Sequence, residues 1–145
     1  MRKLQSDKGL PKRRNSKKGV AYYKRIADQA WSTYIRMRDS TNGVGECISC
    51  GVKKPWKQLQ NGHFVSRSSS TLRFDEENCN AQCVGCNMFK QGNQFAYGKA
   101  LDLKYGDGTA EKLWAQRMDT HKFTITELEE IIHDAKEAIK FMEEK

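Results

Sequence analysis

Cys47-Ile48-Ser49-Cys50-Gly51 and Gln82-Cys83-Val84-Gly85-Cys86-Asn87 are the two stretches whose reading decides the fold. Each holds a C-x-x-C pair, and 32 residues separate Cys50 from Cys83. Two such pairs can give four thiolates to one tetrahedral ion. Zinc suits that ligand set, and four protein ligands leave no position for a catalytic water. A thioredoxin-like redox role would need only one pair in a different setting; an iron–sulfur cluster is the lesser metal alternative. Gly51 permits a tight turn behind the second thiolate. Cys79 does not complete a third pair and reads as a buried or half-buried free thiol. Five cysteines, an odd count, argue against a disulfide scaffold and for a reducing compartment.

The segment between the pairs is poor in apolar residues, so metal binding would contribute much of its folding free energy. A short hairpin is expected around Leu59–Val65, followed by a loop rich in Ser and Arg at 66–73. Residues 82–97 read as a knuckle continuing into a helix, with Gly85 and Gly92 weakening its ends. Outward from this core, Tyr23, Ile26, Ala27, Ala30, Tyr34 and Met37 recur at helical spacing, widened by Trp31 and Ile35. They predict an amphipathic helix from Val20 to about Asp39, ended by the turn-rich segment 40–45, with its aromatics in the core. Toward the C-terminus, Ala110, Leu113, Trp114 and Met118 form one apolar face. Thr124 and Glu127 have capping-box spacing before a stripe of Leu128, Ile131, Ile132, Ala135, Ala138, Ile139 and Met142.

The chain has 145 residues, 37% of them apolar and 30% charged, which suits one folded domain of about 100–200 residues. The expected division is a basic arm over residues 1–19 and one domain over 20–145, with its core at 46–100 and flanking helices at 20–39 and 109–144. No apolar run suits a membrane span or an export signal, so a cytoplasmic protein without membrane partners is expected. The net charge of +8 is uneven: residues 1–25 hold ten bases and one acid, whereas 101–145 hold seven bases and eleven acids. An arm carrying Lys12, Arg13, Arg14, Lys17 and Lys18 suits a polyanion and predicts salt-sensitive affinity without base preference. Its other reading is a solvated terminus that aids solubility.

His63, in Asn61-Gly62-His63-Phe64-Val65, is the one histidine of three that falls in the stapled segment. Its intrinsic pKa suits it to take a proton near neutrality. Asn87, directly after the last cysteine of the pairs, could offer an amide oxygen to a hard divalent cation. Arg67 and Arg73 flank the Ser-rich loop and could clamp phosphates, as could Lys90. The alternatives are a solvated loop or, for Arg73, a structural tie. His121 and His133 read as surface or packing residues. These features leave open both a catalyst and a zinc-bound, basic, non-catalytic nucleic-acid module, and on spacing alone favour the module.

Taken together, Cys47-x-x-Cys50, His63, Asn78, Cys83-x-x-Cys86-Asn87 and Lys90 resemble the zinc-containing HNH nucleases, or ββα-metal fold. Tyr34-Ile35-Arg36-Met37-Arg38-Asp39, Gly62-His63-Phe64, Ser66-Arg67, Leu72-Arg73-Phe74, Gln82-Cys83 and Gly92-Asn93 narrow the resemblance to the lambda-type phage NinG recombination proteins, also called Rap. The resemblance implies an α+β fold with a small zinc-stapled HNH-like core flanked by an N-terminal helix and C-terminal helices. It implies His63 as general base, Asn78 as support for its loop, and Asn87 as a ligand of catalytic Mg²⁺ or Mn²⁺. The implied activity is structure-selective cleavage of branched DNA in recombination intermediates, within the bacterial host cytoplasm. A homodimer could cut both strands. The alternatives are a non-catalytic DNA-binding accessory protein and an HNH nuclease without branch selectivity. In one respect the sequence departs from the pattern: many HNH enzymes have a metal-binding Asp before the histidine, and this chain has Gly62. Asn61, Asp75, Glu76, Glu77 or a backbone carbonyl are the candidates to fill the gap. Another division of labour would put His63 itself on the metal.

Overall fold

The computed structural model describes residues 18–145. Helix α1 (Val20–Arg38) buries Ala27, Ala30, Trp31 and Ile35. Trp31 and Ile35, expected at the margin of the apolar stripe, thus lie at its centre, while Tyr23 and Met37 are half-buried. The helix packs along α4 (Ile125–Glu143), the C-terminal helix. At its end the Arg38 guanidinium donates to the Glu76 and Cys79 carbonyls, and the Asp39 carboxylate accepts the Ala81 N–H at 2.8 Å. These bonds anchor the helix to the central strands.

Three short antiparallel strands follow, β1 (Ser40–Thr41), β2 (Val44–Glu46) and β3 (Lys53–Pro55). Asn42 and Gly43 turn the first hairpin with φ of 52° and 80°, the left-handed pair that suits a two-residue connection. A 3₁₀ turn at Trp56–Gln58 leads into β4 (Gln60–His63), which pairs antiparallel with β5 (Cys79–Gln82). Gly62 therefore lies opposite Asn80, and His63 opposite Cys79.

The local hairpin expected at Leu59–Val65 is not formed. Asn61-Gly62 resembles a hairpin turn in sequence, yet both residues are in a strand whose partner lies beyond the 64–78 connection. Gly62 is needed there for space: a Cβ would fall 1.9 Å from Gln82 Oε1. The expected knuckle-to-helix segment is also divided. A π-helical turn at Gly85–Phe89 ends in Gln91, Gly92 and Asn93, all with left-handed φ, before α2 (Gln94–Tyr105) starts.

One core cluster joins Phe64, Val65 and Leu72 to Tyr97 and Leu101 of α2 and to Leu113 of α3 (Thr109–Ala115). Trp114 and Met118, expected on the buried face of this region, are instead exposed. Thr124 Oγ1 accepts the Glu127 N–H as an N-cap, but the Glu127 carboxylate turns to His121 Nε2, so the reciprocal half of the box is absent among the described residues. His121 and His133 both lie at the surface. An N-terminal helix and C-terminal helices thus flank a small β and four-cysteine core. Among the described residues, no helix is long and apolar enough to cross a membrane.

Candidate metal centre and basic cleft

The Cys47, Cys50, Cys83 and Cys86 sulfurs all lie within 4.8 Å of one another. A tetrahedral zinc with bonds of about 2.3 Å sets its sulfurs ~3.8 Å apart, and the Cys50 and Cys83 sulfurs are 3.7 Å apart. The donor set and spacing fit a closed structural zinc site. Burial would raise the Cys83 thiol, but the Cys86 N–H at 3.4 Å and the neighbouring thiols draw it down to about 7. Burial raises the Cys86 thiol, and Asn93 Nδ2, donating to Cys86 Sγ, opposes that rise. Cys79 is outside the cluster and fully buried, and burial pushes its thiol up to about 12, as expected of an inert free cysteine.

Beside this centre an open cleft of about 1300 Å³ brings His63, Asn87 and Arg67 together. His63 ends β4, and its Nε2 lies 2.9 Å from the Arg73 carbonyl. A carbonyl only accepts, so Nε2 carries the proton and Nδ1 keeps its lone pair. Burial holds the imidazole below its usual pKa, with Arg67 and Arg73 adding to the effect and the Arg73 carbonyl and Asp28 opposing it. Burial thus favours the neutral ring over the imidazolium.

The loop behind the histidine is held by Asn78, which is completely buried. Its Oδ1 accepts the Val65 N–H at 2.8 Å, and its Nδ2 donates to the Val65 and Leu72 carbonyls. From α2, the Tyr97 hydroxyl donates to the Gly62 carbonyl at 2.7 Å, fixing the residue next to His63. Asn87 is presented by the π-turn. Its Nδ2 donates to Gln60 Oε1 at 2.8 Å, which fixes the amide and leaves Oδ1 without a protein donor among the described residues.

Gly62 has no room for the carboxylate found before the histidine in many HNH enzymes. Gln82 occupies that space, fully buried, with Nε2 donating to the Gly92 carbonyl and Ser49 Oγ. Of the side chains expected to compensate, only Asn61 lines the cleft, and its buried Oδ1 has no hydrogen-bond partner. Asp75 caps the turn at 77–78, Glu76 accepts from the Tyr34 hydroxyl, and Glu77 pairs with Lys112. Asn87 Oδ1 is a hard oxygen donor open to the cleft, whereas Asn61 Oδ1 is sealed from solvent. One amide oxygen is a donor of the kind Mg²⁺ or Mn²⁺ takes, and is not by itself a cation site.

Arg73, expected at a phosphate, forms a two-pronged pair with Asp28 of α1 and is mostly buried. It acts as a tie between helix and loop. Arg67 is 3.7 Å from the same carboxylate, but its side chain remains 62% exposed in the cleft. Lys90 is exposed and lies outside the cleft lining. Lys18 donates to the Tyr22 hydroxyl, while Lys12, Arg13, Arg14 and Lys17 lie outside the described residues.

Three cations missed in the sequence also line the cleft: Arg36 from α1, Lys54 from β3 and Lys57 from the 3₁₀ turn. Arg36 sits 5.2 Å from the centre of the Trp56 ring. The run Lys53-Lys54-Pro55-Trp56-Lys57 was the available signal, a basic stretch with an aromatic inside it. Among the described residues Asp28 is the one carboxylate in the lining, and Arg73 pairs with it. The cleft is therefore basic.

The family model described as Bacteriophage Lambda NinG protein matches residues 2–145. Protein ninG of Escherichia phage 933W is 33% identical over 108 residues, covering 74% of this chain and 51% of that protein. Protein ninG of Escherichia phage lambda is 32% identical, and that of Salmonella phage P22 31%, each over 121 residues, 83% of this chain and 57% of the relative. The chain spans little more than half the length of these curated relatives. No solved structure matches it. With the four-cysteine centre and the histidine cleft in place, the match shows that this chain belongs to the bacteriophage lambda NinG family.

Proposed function

We propose that the basic cleft is the active site of a metal-dependent DNA endonuclease acting on branched recombination intermediates. The observation that carries this reading is the convergence of a neutral, backbone-anchored His63 and the free amide oxygen of Asn87 in one cation-lined cleft. His63 Nδ1 takes the proton from an attacking water as its oxygen bonds to phosphorus and the bond to the 3′ oxygen breaks. The leaving 3′ oxygen takes a proton from solvent water, so the products are a 5′-phosphate and a 3′-hydroxyl. The Nε2–H bond to the Arg73 carbonyl keeps the imidazole in the basic tautomer and steadies it once protonated. Arg67 receives a non-bridging phosphate oxygen, while Arg36, Lys54 and Lys57 hold the flanking backbone. A divalent cation held in part by Asn87 would supply charge stabilisation at the phosphate and leaving group.

Arg36, Lys54, Lys57 and Arg67 reach the cleft from four separate segments, a spread of cations suited to backbone phosphates. Shape rather than sequence is what such a surface reads. The test compares wild type, His63→Ala and Asn87→Ala, all zinc-loaded, on four-way junction, duplex and single-stranded DNA with Mg²⁺ or Mn²⁺. Wild type should cut the junction best. His63→Ala should lose at least a hundredfold in rate while keeping zinc content and DNA affinity. A wild type that binds but never cuts would identify a non-catalytic accessory protein. Equal cutting of all three substrates would remove branch selectivity alone.

A further inference from the structure

The π-turn that supplies Asn87 and the first turn of α2 after it expose three large apolar side chains within eight residues. Met88 is 63% exposed, Phe89 81% and Phe95 78%. Isolated exposed apolar residues are ordinary, but a cluster beside a polar site is a mark of contact. This one is continuous with the cleft, since Asn87, Gln91 and Gln94 of the same segment line it. Met88 Sδ lies 3.6 Å from Gln60 Nε2, and Gln60 is the residue that orients Asn87. Phe89 contributes to none of the core clusters among the described residues, so packing gives no reason for its position.

We propose that Phe89, backed by Met88, is a stacking platform for bases left unpaired or unstacked at a DNA branch point. The proposal rests on the reading of the cleft as a DNA site and names what confers its substrate class. Charge complementarity selects the occupant: Arg36, Lys54, Lys57 and Arg67 line the adjoining cleft, which favours a polyanion over an acid-poor or apolar partner. A nucleic acid with an opened base offers both a phosphate for the cations and a π-face for the phenyl ring. An intact duplex offers only the first.

The test uses the full zinc-loaded chain in Ca²⁺, with four-way junction and perfect duplex DNA of equal length. Affinities are read by anisotropy, and a 2-aminopurine at the branch reports stacking. Phe89→Ala should weaken junction binding about tenfold and leave duplex affinity unchanged, with Phe89→Trp restoring the junction value. The 2-aminopurine signal should respond to wild type and Phe89→Trp but not to Phe89→Ala. Equal affinity of Phe89→Ala and wild type for the junction, or an equal loss on both DNAs, overturns the platform while leaving the nuclease reading intact. Failure of wild type to bind any DNA overturns both. Dissociation of a wild-type dimer by Phe89→Ala, seen by sedimentation, would assign the patch to a second copy of this chain and also overturn the proposal.

Discussion

Asn78→Ala should be among the most damaging single changes outside the cysteines. The side chain is fully buried and makes three hydrogen bonds to backbone, at 2.8, 3.0 and 3.1 Å. Leu72 O also accepts from Asp75 N and keeps a partner, so the change orphans chiefly the Val65 N–H and carbonyl. Each buried unsatisfied group costs about 1–3 kcal/mol, and the lost packing adds to this, giving a total of about 3–5 kcal/mol. Domains of this size have about 5–15 kcal/mol in all. Urea unfolding with excess zinc, followed by far-UV circular dichroism and tryptophan fluorescence, should show the midpoint falling by roughly 2 M at an unchanged slope. Asn78→Asp should not rescue, because a carboxylate oxygen would then face the two carbonyls that Nδ2 now satisfies. A loss below about 1 kcal/mol for Asn78→Ala would refute the claim that this residue braces the loop behind His63.

Cleavage should rise with pH as His63 loses its proton, with the inflection on the acid side of an ordinary histidine's, because burial lowers its pKa and the neutral ring is the active form. Arg67→Gln removes a cation that lowers this pKa, so the acid-side inflection of the rate profile should move to higher pH; a fixed inflection would count against His63 as the base. Gly62→Asp, which restores a carboxylate common in HNH enzymes, should destabilise the fold by about 2–3 kcal/mol, because Gln82 fills the space required. A Gly62→Asp/Gln82→Ala double variant should melt higher than Gly62→Asp alone, as read by scanning calorimetry. Zinc removal with a strong chelator should lower the melting midpoint by about 10 °C or more. An unchanged melt would reject a structural role for the four-thiolate centre.

The parts legible in the sequence are those whose geometry is local. The C-x-x-C spacing places two thiolates on one turn wherever that turn lies, and Thr124 caps its helix through a residue three positions away. Features that depend on distant partners were misread or missed. Asn61-Gly62 has the chemistry of a turn, but β4 finds its mate in β5, and Gly62 is small because Gln82 lies against it. Arg73 has the flanking sequence of a phosphate clamp, yet its partner Asp28 is 45 residues earlier, on a helix whose polar face gives no hint of this pairing. Arg36, Lys54 and Lys57 become neighbours only when α1, β3 and the 3₁₀ turn enclose the same cleft. Asn78 looked like an ordinary loop residue except through the family resemblance. Its role comes from burial, which a single polar letter does not reveal.

The proposed chemistry needs His63 and Asn87 to face one cation-binding space beside the zinc core. Paramagnetic broadening by Mn²⁺ tests it most directly, in zinc-loaded, isotopically labelled protein bound to a non-cleavable junction. The Asn87 side-chain amide and the His63 imidazole should broaden first, at the lowest Mn²⁺, and Asn87→Ala should abolish the effect at His63. Broadening that begins at Glu76, Glu77 or the acidic C-terminal helix, with the His63 and Asn87 signals still sharp, would contradict the claim.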